Sequence, residues 1–131
     1  MSAEVKKSAS GVYLLFVGEQ VTEEDLSATV QRYYADAAAS DVTSYVVVVE
    51  PIRLANPLQV ARWLAKHTES GTSHYVVVGN GRDSMVFAER LGKKLSQIPV
   101  ELEAHQQAAV DRAKAIIGAD DEADFPACNY L

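Results

Sequence analysis

The sequence is short of the features that would announce a chemistry. It has one cysteine, Cys128, so no internal disulfide can form, and that usage fits a reducing, cytoplasmic setting. Its longest apolar run, Val12 to Val17, is six residues, far below the roughly 20 that a membrane helix needs. No apolar stretch follows the first lysines, so no secretory signal is read there. Positive charge is scarce too: 12 Lys and Arg stand against 18 Asp and Glu, a net charge of −6. Four of the acids (Asp120, Asp121, Glu122, Asp124) fall in the last thirteen residues; without them twelve cations meet fourteen acids. A near-neutral body with no basic stripe argues against nucleic acid as partner. No internal repeat or low-complexity stretch occurs. At 131 residues, 48% of them hydrophobic, the chain has the size and composition of one globular domain.

What is present is an alternation of strand and helix signals. Val12 to Val17 is apolar on both faces and reads as a buried strand. Residues 3 to 9 read as an edge strand pairing back on it. Thr22 is placed to cap a helix reaching about Ala39, with Asp25 three residues on and Val21 and Leu26 as hydrophobic staple. Leu26, Val30, Tyr33 and Ala37 mark its inner face. Tyr45 to Val49 and His74 to Val78 are valine runs that only burial on both faces explains, so they are expected side by side, parallel and central. Between them, Asn56 at the N-cap and Pro57 at N1 start a second helix, with Val60 and Leu64 inward beside Leu58, Ala61 and Ala65. Gly79-Asn80-Gly81 turns the chain into a third helix from about Asp83 to Leu95. Asp83 or Ser84 is expected to cap it, and Gly92 to mark a close approach to the sheet. Val100 to Glu103 alternates apolar and charged, as a sheet edge does. A last helix, about Gln106 to Ile117, stops at Gly118.

Strands alternating with helices imply an α/β fold with parallel pairing. The pattern is compatible with a flavodoxin-like or a mixed-sheet arrangement. A domain over 1–118 and an acidic tail over 119–131 follow. Phe125, Tyr130 and Leu131 in that tail suggest docking on an apolar patch, within one molecule or between two.

The span from Gly11 to Gly118 resembles the STAS superfamily, in particular its SpoIIAA-like branch, that of the anti-sigma factor antagonists. Gly18 followed by Thr22-x-x-Asp25-Leu26 is similar to the family's entry into its first helix. Ile52-Arg53-Leu54-Ala55-Asn56 resembles the segment leading to its second helix. His105 to Val110 is similar to its final strand-to-helix step. The resemblance implies a mixed, mostly parallel sheet of four to five strands with about four helices. It also implies a non-enzymatic regulatory or adaptor domain that binds a protein partner. Members that switch by phosphorylation carry Asp-Ser-Ser-Gly at the second helix start. Here that stretch is Asn56-Pro57-Leu58-Gln59, and the acceptor serine falls on Leu58, which has no hydroxyl.

Candidate binding residues are Arg53, Leu54, Asn56, Leu58 and Arg62 around the second helix, and Asn80 and Arg82 at the glycine-rich turn. That turn could cradle a phosphate with backbone N–H groups, so the alternative function is a sensor of a nucleotide, lipid or other anion. It lacks the third glycine of a dinucleotide fingerprint and the Gly-Lys-Ser/Thr of a P-loop. Arg53, Asn56 and Arg62 are each explained singly as cap or solvated charge. A flat exposed patch of Leu54, Leu58 and Trp63 would favour the adaptor; a polar cluster in a pocket would favour the sensor. His67, His74 and His105 have no metal-ligand spacing, and no nucleophile stands with a base and an orienting acid. No cofactor, metal or catalytic residue is expected, and a homodimer is compatible with the chain.

Overall fold

The structure is a computed structural model and describes residues 2–9 and 11–118. The expected docking of Phe125, Tyr130 and Leu131, and the lone Cys128, fall outside the described residues.

A hairpin opens the fold. β1 (Ala3–Ala9) runs antiparallel to β2 (Val12–Val17), with Val5 opposite Leu15. The chain then alternates through α1 (Glu23–Ala39), β3 (Tyr45–Pro51), α2 (Pro57–His67), β4 (Thr72–Val78), α3 (Arg82–Lys94), β5 (Val100–Glu103) and α4 (Gln106–Ile117). β2 to β5 are parallel, and the five strands lie in the order β1-β2-β3-β4-β5. That order removes the flavodoxin-like alternative, whose sheet runs 2-1-3-4-5. β3 and β4 are adjacent and internal, and Val47 and Val77 are fully buried, as their valine runs require.

Period-two alternation divides the core in two. Tyr13, Leu15, Val47, Val49, Tyr75 and Val77 face the layer of α1, α2 and α3. Val12, Leu14, Val46, Val48, Val76 and Val78 face Ala109, Val110 and Ala113 of α4, the one helix among the described residues packed on that side. Small residues on α4 let it lie close to the valines. Polar contacts frame it: Gln106 Nε2 donates to Glu50 Oε1 at 2.6 Å, and Arg112 grips Glu101 with two bonds of 2.8 and 3.1 Å.

The helix ends follow local chemistry. Thr22 Oγ1 accepts from the Asp25 N–H at 3.1 Å, and Asn56 Oδ1 from that of Gln59 at 3.2 Å. Gly118 ends α4 in the left-handed conformation, φ 72°, which costs glycine little. Three expectations fail. α3 is capped by neither Asp83 nor Ser84: it begins at Arg82, its N-cap is Gly81, and no side chain caps it. Ser84 instead packs over Gly79, leaving no room for a side chain there. Leu58 does not face the core but is 40% exposed. The buried stripe of α2 is Val60, Ala61 and Leu64, and at about 100° per residue Leu58 lies more than a quarter-turn from its centre.

Gly92, finally, makes no close approach. A Cβ there would stand 3.8 Å from Val100 Cβ, an ordinary contact. Gly92→Ala should therefore stabilise the fold by about 1 kcal/mol, the helix propensity difference. Thermal melting should show a rise of a few degrees; a fall would reveal crowding against β5.

Candidate functional site

The parallel strands discharge their loops at one edge of the sheet. Residues 18–22 lead to α1, 52–56 to α2 and 79–81 to α3. Because β3 and β4 are neighbours, the second and third loops share that edge, and with them Arg53, Asn56, Asn80 and Arg82. All four are exposed. Leu54 is 6% exposed and packs into the core. It pins the loop between two exposed residues, and Arg53 just before it takes φ 51°. A non-glycine residue in that region costs on the order of 1–3 kcal/mol. Asn56 is occupied as the α2 cap.

The remaining expected residues lie apart from these. Leu58 lines a small groove with Val86, Glu89, Arg90 and Lys93 of α3. Arg62 lines a larger, open one of about 440 Å³ with Gln59, Trp63, Lys66, Lys94 and Glu23. The six exposed residues thus form a band along the loop edge and both flanks of α2, not a closed pocket. Nor do Leu54, Leu58 and Trp63 make a flat apolar patch. Leu54 is internal and Trp63 half-buried against the core, so Leu58 alone is exposed.

One cluster was missed. Lys66 Nζ and His67 Nε2, at the end of α2, lie 2.9 and 2.8 Å from the same oxygen, Glu23 Oε2, at the start of α1. Glu23 reads in sequence as a helix-dipole residue, and nothing local links it to Lys66 and His67, 43 and 44 positions on. A neighbouring groove is lined by Thr22, Glu24, Ser27 and Ala28 together with Glu23 and His67. Hydrogen bonds from Lys66 first and His67 second hold the Glu23 carboxyl below its usual 4.5. A carboxyl depressed in the fold lends support that is complete above its unfolded pKa. That support is lost as pH falls through the folded one. The Glu23 side chain, followed by NMR, should titrate below 4.5, and Lys66→Ala should move its midpoint up. An unmoved midpoint would mean that the ion pair does not form in solution.

Among the described residues the other titratable groups with shifted pKa values are mainly structural. The Tyr75 phenol is pushed up to about 12 and that of Tyr13 higher still, both chiefly by burial, so both stay neutral. His74 Nδ1 lies 2.9 Å from Ser73 Oγ, and His105 is the exposed N-cap of α4. Among the described residues no three His, Cys, Asp or Glu side chains are grouped to hold a metal ion, and no helix is long and apolar enough to cross a membrane. The fold defines one α/β unit, a five-stranded, mostly parallel mixed sheet with four helices. No family model, no curated protein and no solved structure matches the chain.

Proposed function

We propose that this chain is a non-enzymatic regulatory or adaptor domain of STAS-like type, working in the cytoplasm. It recognises a protein partner through the band around the start of α2. The sequential strand order with α1, α2 and α3 on one face carries this reading. Open α/β sheets bind small ligands where neighbouring crossovers leave in opposite directions and open a crevice. Here the crossovers from β2 through β5 all pass on the same side, so that opening is not built, and Arg53, Asn56, Leu58 and Arg82 sit on the outer surface. Leu58 stands where the resemblance puts a phosphoacceptor, and an exposed leucine there suits contact with a partner and not covalent switching.

A photoreactive residue in place of Leu58 tests the reading. In cells it should give one dominant protein adduct, and Arg53→Glu should diminish it. A thermal shift with nucleotides or phosphate that Arg82→Ala abolishes, without any adduct, would establish the anion sensor instead.

A further inference from the structure

We propose that the partner engages this domain through an acidic segment carrying a large apolar side chain, seated along the seam between α2 and α3. The inference rests on the adaptor reading and names the chemistry of what the adaptor binds. α2 and α3 lie on the same side of the sheet and pack on each other. Two grooves abut along their outer seam. Leu58 and Lys93 line the small one, and the next residue of each helix, Gln59 and Lys94, lines the larger one of about 440 Å³. Exposed Leu58 and half-buried Val86 supply apolar surface in the first, and half-buried Trp63 supplies it in the second.

Charge along this seam is lopsided. The small groove holds Arg90 and Lys93 with Glu89, and the larger one holds Arg62, Lys66 and Lys94 with Glu23. Both carboxylates are already engaged within the domain: Glu89 by Lys93 at 3.2 Å, and Glu23 by Lys66 and His67. Arg62, Arg90 and Lys94 have no ion-pair partner among the described residues. Exposed Arg53 and Arg82 at the loop edge continue the same sign. The sequence as a whole conceals this bias. Between residues 53 and 94 stand seven Lys and Arg against three acids, while the rest of the chain holds five against fifteen.

Three unanswered cations beside an exposed leucine and a tryptophan define their complement. Carboxylates meet the cations and steer the approach, and an apolar group buries against Leu58 and Trp63. Nucleic acid suits the seam less well. It needs a long run of cations to answer its evenly spaced phosphates, and the first turn of α1, which reaches the larger groove, carries Glu23, Glu24 and Asp25. A short acidic segment stays within the positive strip.

Trp63 is the one tryptophan in the chain, so its emission reads the larger groove directly. A photoreactive residue at Leu58, or at Gln59 one position on, should cross-link in cells to a protein segment that mass spectrometry finds rich in Asp and Glu. That segment, synthesised as a peptide, should change the Trp63 emission saturably. Arg62→Glu with Lys94→Glu should weaken its binding roughly tenfold or more. Lys114→Glu, on α4 across the sheet, makes a like change of charge elsewhere and should leave binding as it was. A peptide whose acids are replaced by lysine should fail on the native chain and bind the doubly reversed one. A cross-linked segment that is neutral or basic, or an acidic one indifferent to the reversal, would overturn this inference and leave the adaptor reading standing. Cross-links to nucleic acid in place of protein, or none from either position, would overturn both.

Discussion

Tyr33→Ala is expected to cost about 4 kcal/mol, within the range for deleting a buried aromatic ring, and to lower the melting temperature by on the order of 15 °C. Tyr33 is fully buried and is the hub of a three-ring cluster. Its ring stacks on Tyr13 at 5.6 Å and meets the edge of Tyr45 at 5.7 Å, while Tyr13 and Tyr45 meet edge-on at 5.6 Å. Each such pair adds about 0.5–1.5 kcal/mol beyond the area it buries. Tyr33→Phe should behave in the opposite way and hold or raise stability. Among the described residues the buried Tyr33 hydroxyl makes no well-formed hydrogen bond, its one polar contact being a poor one with the Tyr75 hydroxyl. The nearby Tyr75 hydroxyl is engaged with Thr68 Oγ1 at 2.7 Å. Removing an unsatisfied buried donor relieves a cost of about 1–3 kcal/mol. Tyr13→Phe, one ring away, should destabilise, because that hydroxyl donates to Asp36 Oδ2 at 2.7 Å. Urea unfolding of the three variants decides the matter: a Tyr33→Phe loss as large as that of Tyr13→Phe would show that the Tyr33 hydroxyl is satisfied in solution.

The second large effect is expected at Gly79→Ala, which should lose about 3 kcal/mol. Gly79 has φ 149°, outside what a side chain tolerates well. A Cβ there would overlap Ser84 Oγ and stand 2.5 Å from Ser84 Cβ. The residue is therefore held by two constraints, one of backbone and one of space. Adding Ser84→Gly removes the second and leaves the first. The double variant should be at least about 1 kcal/mol more stable than the two single losses would give together, the signature of directly touching residues. Simple additivity would show that φ alone makes glycine necessary here.

Much of the fold is legible in the chain, and the limits of that legibility are physical. Caps at Thr22 and Asn56, the stop at Gly118 and the interior strands Tyr45–Pro51 and Thr72–Val78 follow from chemistry acting over a few residues. Gly79 and Ser84 are also close in sequence, yet no propensity states that one must lie on the other. The order of strands, and the choice of α4 alone for the second face, depend on how whole layers pack. The four tyrosines Tyr13, Tyr33, Tyr45 and Tyr75 come from four elements, and no periodicity brings them together. The site was legible only in part. Arg53, Asn56, Asn80 and Arg82 were placed at one edge by the βα alternation. Leu58 reads as a core residue because a helix of only three turns does not reveal which flank is outside.

The arrangement of α4 has a consequence for how the chain is made. Each new strand from β2 onward adds beside the one just before it, so the sheet can grow in step with synthesis, although each parallel pairing must wait for a whole helical crossover and forms slowly. Its back, however, presents Val12, Leu14, Val46, Val48, Val76 and Val78 to solvent until residues 106–117 arrive to cover them. A nascent chain halted before α4 is therefore a sheet with one greasy side open, the kind of species that sticks to its neighbours and recruits chaperones. Of the described elements the helix that covers this face comes last, and the interval before it emerges from the ribosome is when the sheet is most exposed to misassembly.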